Sequence, residues 1–121
     1  MKYFKLWEFS CHHCGALPEE GMSPILLEKL DKLRGMVGEP IEVSSGYRCP
    51  EHNRRIGGVD NSQHVLGKAA DVYCNSVMAE NLAKYAEKVG FDGLGIYHED
   101  DFIHVDVRND GQTPNHYRWE Q

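Results

Sequence analysis

Three side chains spread along the chain, His64, Asp71 and His104, are of the types that hold a divalent metal ion. Catalytic zinc takes three protein ligands from imidazole nitrogen or carboxylate oxygen and leaves a fourth position open to water. The three residues sit in two short segments. One is Ser62-Gln63-His64-Val65-Leu66-Gly67-Lys68-Ala69-Ala70-Asp71, and the other is Asp101-Phe102-Ile103-His104-Val105-Asp106. Gly67 and Ala69 are small, so the backbone can come close to a metal and leave room for water. Two imidazoles and one carboxylate suit zinc, although cobalt, nickel or iron also accept such a set. Water on such a zinc ion ionises near pH ~7, and a nearby carboxylate can carry its proton to a leaving amine. Asp101, three residues before His104, is the first candidate for that task, with Asp100 and Glu99 as rivals. Strand alternation turns positions three apart to opposite faces, so the turn must redirect Asp101 into the cleft. Taken singly, these residues have ordinary explanations: a satisfied histidine, a strand-end carboxylate, a turn aspartate. The joint pattern carries the argument.

The elements that must position them can be read coarsely. Ser23-Pro24 starts a helix, with Ser as cap and Pro at its first position, and Leu26, Leu30, Leu33 and Val37 recur at helical spacing before Gly38 stops it. Ile41 to Ser45 alternates like a short strand, and Pro50 to Ile56 suits one helical turn before Gly57-Gly58. Lys68 to Tyr73 reads as a second strand, with Ala70 and Val72 on one face and Ala69, Asp71 and Tyr73 on the other. Ser76 is expected to cap a second helix, with Met78, Leu82, Tyr85, Ala86 and Val89 inward and Gly90 as its stop. Leu94 to Val107 suits a hairpin turning at Glu99-Asp100-Asp101. In it Ile103, Val105 and Val107 point to the core, while Phe102, His104 and Asp106 point away. The tail from Asn109 is polar, and its Tyr117 and Trp119 are expected to dock back. The sum is an α+β domain: a small, mainly antiparallel sheet with helices packed on one side.

The chain of 121 residues suits a single domain over 1–121. Its formal net charge of -6 speaks against a nucleic-acid partner that needs a basic surface, although a local cationic pocket remains compatible with it. No apolar run reaches the ~20 residues a membrane span needs. Lys5 and Glu8 interrupt the first ten residues, so no signal peptide is read there. The expectation is a monomer made in the cytoplasm that leaves it only by export or lysis.

The pattern S-x-H-x-x-G-x-A-x-D, followed by D-x-x-H-x-D, resembles the zinc D-alanyl-D-alanine carboxypeptidases. Their superfamily includes phage L-alanyl-D-glutamate endopeptidases, D-Ala-D-Ala dipeptidases and the hedgehog signalling domain. The resemblance runs from Ser44 to Asp106, about half the chain. It implies the hedgehog/D-Ala-D-Ala-peptidase-like fold, one catalytic zinc ion on His64, Asp71 and His104, and a general base at Asp101. Ser45-Gly46-Tyr47-Arg48 matches the family's S-G-Y-R segment. Arg48 is thereby implied to bind substrate, and a guanidinium can grip a peptide carboxylate in two places. Ser62, also within the motif, is assigned a substrate or supporting contact. Asp106 can orient the His104 imidazole, and His98 is expected near the cleft mouth. Arg54 and Arg55 lack motif support and read as solvated.

Cys11-His12-His13-Cys14 is half of a zinc site, completed only if Cys49 or Cys74 comes near. Structural thiols rank first for these cysteines, a second zinc second and redox chemistry last. The leading function is a zinc metallopeptidase acting on peptidoglycan stem peptide, most simply as a D-Ala-D-Ala carboxypeptidase. The alternatives are a phage-type L-alanyl-D-glutamate endopeptidase, fitting a phage or prophage lysis protein, and a zinc-binding module that no longer catalyses.

Overall fold

A computed structural model describes residues 2–59 and 62–121, leaving Asp60 and Asn61 of the glycine-rich loop outside the described residues. A single 3-10 turn, Leu6–Phe9, precedes helix α1, Pro24–Val37. Both ends of α1 follow local chemistry. The Ser23 hydroxyl accepts from the Leu26 amide at 3.3 Å, and Gly38 closes the helix at φ 75°. Strand β1, Glu42–Ser45, leads to helix α2, Pro50–Arg55, and strand β2, Ala69–Tyr73, to helix α3, Ala79–Val89. Strands β3, Gly93–Tyr97, and β4, Phe102–Asp106, form the hairpin, and β5 is Tyr117–Glu120.

The sheet order is β1-β2-β4-β3-β5. All neighbours are antiparallel except β3 and β5, which run parallel. The sheet is therefore mixed, because the tail docks as a strand along the edge of β3. Helix α1 packs on α3, and α3 lies over β3 and β4. Leu26, Leu30 and Leu33 of α1, Leu82 and Ala86 of α3, and Val72, Ile103 and Val105 of the strands are fully buried between them. This apolar layer supplies the main folding force and leaves the other face of β2 and β4 free for polar groups.

One helix start differs from expectation. α3 begins at Ala79 rather than after Ser76, and its preceding residue, Met78, is exposed and offers no side-chain cap. The acceptor comes from far along the chain: Asp101 Oδ1 receives the Ala79 amide at 2.7 Å. A cap supplied across space leaves no mark in the local sequence.

Candidate active site

The β2–β4 register sets Asp71 directly opposite His104. Both side chains leave the sheet on the face away from α3, as alternation requires. His64 comes over them from the turn before β2. A metal-binding atom from each of the three lies within 4.8 Å of the others, and all three residues are buried. Asp71 Oδ1 is the meeting point, 3.3 Å from His64 Nε2 and 3.1 Å from His104 Nδ1.

The outward nitrogens are tied down. His64 Nδ1 donates to the Gly46 carbonyl at 2.8 Å, and His104 Nε2 to Asp106 Oδ2 at 2.7 Å. With those protons fixed outward, each neutral imidazole turns a lone pair toward Asp71. In those neutral tautomers two lone pairs and a carboxylate oxygen would converge, the donor set of a cation site, and without a cation the same contacts serve as hydrogen bonds to Asp71. The residues fit a zinc ion.

The charges agree. Burial alone would raise the Asp71 carboxyl, but its bonds to His104 and His64 hold it well below the usual carboxylate range. Burial pulls His104 down, yet the flanking Asp106 and Asp71 carboxylates outweigh it and raise its pKa above the ordinary histidine value. Asp106 is fully buried, and burial opposes its charge. His104 and Arg108 nevertheless keep it ionised, Arg108 through bonds of 3.0 and 2.7 Å. The Arg108 guanidinium also lies over the Tyr117 and Trp119 rings.

Gly46 explains the turn behind His64. A Cβ there would sit 2.6 Å from the Phe9 backbone, so only glycine lets the two segments touch. The Tyr47 amide then bonds the Phe9 carbonyl at 2.8 Å, and the Arg48 amide bonds the His64 carbonyl at 3.2 Å. Arg48 reaches into the site. Its Nη2 stands 3.4 Å from Asp71 Oδ2, while Ser45 Oγ and Asn53 Oδ1 accept from it at 3.3 and 3.5 Å. Ser62 Oγ accepts from the His64 amide at 3.2 Å, bracing the loop while its residue lines the cleft.

The cleft has a volume of about 420 Å³. Arg48, Ser62, His64, Asp71 and His104 all line it, so the sequence brings five of its six chosen residues together. Asp101 does not join them among the described residues lining the cleft. It sits at φ 55° in the hairpin turn with its carboxylate on the amide of Ala79. The turn leaves it on the helical side, where alternation from His104 puts it, instead of redirecting it. Glu99 and Asp100 are exposed turn residues that do not line the cleft either. His98 is drawn off to Glu120 at 2.8 Å, and Tyr97 takes the position opposite Phe102.

Among the lining residues that were not singled out from the sequence as site residues are Tyr97, Arg108 and Trp119. Trp119 Nε1 donates to the Tyr97 hydroxyl at 2.9 Å, leaving the phenolic proton free to donate elsewhere. The indole lies over Gly95, where any Cβ would collide with the ring. Arg108 continues the alternation of Phe102, His104 and Asp106, a signal readable in the sequence.

Comparison with known proteins finds relatives of the chain. Over 95 residues the chain is 29% identical to the peptidoglycan L,D-endopeptidase MepK of Escherichia coli K12, covering 73% of this chain and 52% of that protein. It is 36% identical over 94 residues to a probable MepK of Haemophilus influenzae, covering 71% of this chain and 50% of that protein. Against the zinc D-Ala-D-Ala carboxypeptidase of Streptomyces albus G it is 35% identical over 85 residues, covering 67% of this chain and 33% of that protein. The chain thus spans about half or less of the length of these relatives. Residues 2–106 match the peptidase M15 family, and the chain belongs to that family.

Proposed function

We propose that this protein is a zinc-dependent peptidase that cuts a peptide bond beside a D-residue in peptidoglycan stem peptide. The observation carrying the proposal is the convergence of His64 Nε2, Asp71 Oδ1 and His104 Nδ1 with both outward imidazole nitrogens tied to acceptors. Zinc bound there would supply a polarised scissile carbonyl and a water acidic enough to attack near neutral pH.

The chain's own groups bind, orient and shield the substrate. Arg48 is held by long contacts to Ser45, Asn53 and Asp71, and it is free to exchange them for a substrate carboxylate. Ser62, on the cleft wall, offers its hydroxyl to the peptide backbone. Phe102, Tyr97 and Trp119 form an apolar wall that keeps bulk water from the reacting bond. The Tyr97 hydroxyl, with its own proton free, is the donor this reading places beside the developing oxyanion. Asp106 and the Gly46 carbonyl keep both imidazoles in the binding tautomer. The sequence nominated Asp101 as proton acceptor. For that role its carboxylate would have to leave the Ala79 amide, so the reading assigns Asp101 to capping α3.

Two bonds in the stem peptide are compatible with an anchoring Arg48. Release of terminal D-alanine is the reading the ligand motif favours, and the carboxypeptidase relative supports it. An internal L,D cut is the alternative supported by the MepK relatives. Mass spectrometry of purified muropeptides after incubation with the zinc-loaded protein decides. Loss of one terminal alanine identifies a carboxypeptidase, and an internal fragment identifies an endopeptidase. Stoichiometric zinc with intact muropeptides at every pH would leave a binding module in place of an enzyme.

A further inference from the structure

The N-terminal cysteines form a second cluster, separate from the cleft. Cys11, Cys14 and Cys49 bring their sulfur atoms within 4.8 Å of one another, although Cys49 is far along the chain. All are free thiols. Cys74, the other cysteine, is buried elsewhere beside Ser76. Backbone amides already point at the sulfurs: Cys49 N donates to Cys11 Sγ and His52 N to Cys49 Sγ, each at 3.4 Å.

The spacing is that of a zinc-binding pair of loops. Cys11-His12-His13-Cys14 is C-x-x-C, and Cys49-Pro50-Glu51-His52 is C-x-x-H. Four sulfur and nitrogen ligands in a tetrahedron make a closed, structural zinc site. With Zn–S about 2.3 Å, tetrahedral thiolates stand about 3.8 Å apart, a spacing within the 4.8 Å that bounds the cluster. A disulfide would join two of the sulfurs and leave the third without a role, whereas a metal uses all three. For the fourth ligand there are two neighbouring imidazoles, His13 and His52, stacked with centroids 5.8 Å apart. His13 is turned toward Glu51 at 3.6 Å. His52 follows Cys49 by one turn of α2, and its amide already donates to Cys49 Sγ, so it is the candidate fourth ligand, reached by rotating its ring out of the stack.

We propose that Cys11, Cys14, Cys49 and His52 bind a structural zinc ion, distinct from the His64–Asp71–His104 site. Soft thiolates select zinc there, and binding releases the thiol protons to solvent. The consequence is mechanical. Cys49 directly follows Arg48, so the ion would clamp the N-terminal segment against the loop that carries the substrate-binding guanidinium. The proposal stands without the peptidase reading, because a binding module would need the same clamp.

The test loads the full chain with zinc or cobalt alone and measures metal content and absorption. The wild type is expected to hold two zinc ions per chain and His104→Ala one. The cobalt-loaded His104→Ala protein should keep the thiolate-to-cobalt charge-transfer absorption, and Cys14→Ser should lose it along with one metal equivalent. Cys14 is exposed, so that variant should fold; if it does not, the wild-type absorption still decides. His52→Gln should weaken metal binding at this site while keeping the charge-transfer band. One zinc per wild-type chain without a charge-transfer band would overturn the proposal, as would unchanged affinity in His52→Gln. So would an intact mass two hydrogens light, which marks a disulfide.

Discussion

Around the two histidines, the residues that touch no substrate carry much of the chemistry. Asp106 receives His104 Nε2 at 2.7 Å and is itself gripped by Arg108. Partners behind a ligand imidazole are typically worth about 10- to 100-fold in metal affinity or activity. Asp106→Asn should therefore weaken zinc binding by about that factor, measured by competition with a coloured chelator. Unchanged affinity would show that Asp106 serves packing alone. Asp101 is separated from catalysis by a pair of variants. Asp101→Asn keeps an oxygen for the Ala79 amide and should retain near-normal turnover, whereas Asp101→Ala should lose about 1 kcal/mol of stability as a lost cap. If Asp101→Asn folds normally but is inactive, Asp101 moves protons after all and the assignment to capping fails.

At the scale of elements, what could be read depended on whether its cause was local. Helix α1 was legible at both ends because Ser23-Pro24 and Gly38 act on their neighbours. The Asp71 and His104 faces were legible because alternation along a strand is local too. The start of α3 was not, since its cap comes from the hairpin turn 22 positions away. The inward turn expected of Asp101 failed for the same reason: turn composition marks where a chain reverses but not where its side chains aim. The tail's docking was legible from Tyr117 and Trp119, but its parallel pairing with β3 depends on an indole seated over Gly95. Asp92 holds the segment leading to that tail. Fully buried, it accepts the Asn109, Gly111 and Thr113 amides at 3.0, 2.7 and 2.8 Å, plus the Thr113 hydroxyl. Asp92→Ala should cost about 2 kcal/mol in urea unfolding, because three partly buried amides lose the charged acceptor that ties them together. Burial opposes the Asp92 charge, but those donors prevail and hold its pKa below the ordinary value. A depressed folded pKa stabilises fully above the unfolded value of about 3.9 and is lost as pH falls through the folded one. The acid limb of the wild-type stability curve should therefore flatten in Asp92→Asn, and an unchanged limb would assign it to other carboxylates.

The whole molecule is an α+β layer pair in which one sheet face carries the core and the other the site. No helix among the described residues is long and apolar enough to cross a membrane. A metal that binds only the folded state stabilises it by about 3 kcal/mol at a hundredfold excess over its Kd, so chelation should lower Tm by roughly 10 °C. Recovery on adding zinc, followed by calorimetry, checks this, and a chelator-indifferent Tm would mean that metal does not bind the folded chain. The account's central claim is that peptide cleavage depends on metal held by His64, Asp71 and His104. It is tested most directly by titrating zinc into the chelated protein while following muropeptide turnover, with His104→Ala in parallel. The expected result is no turnover without metal, a rise to a plateau in the wild type, and none in His104→Ala at any zinc concentration. Turnover that survives chelation, or that His104→Ala matches, would contradict it.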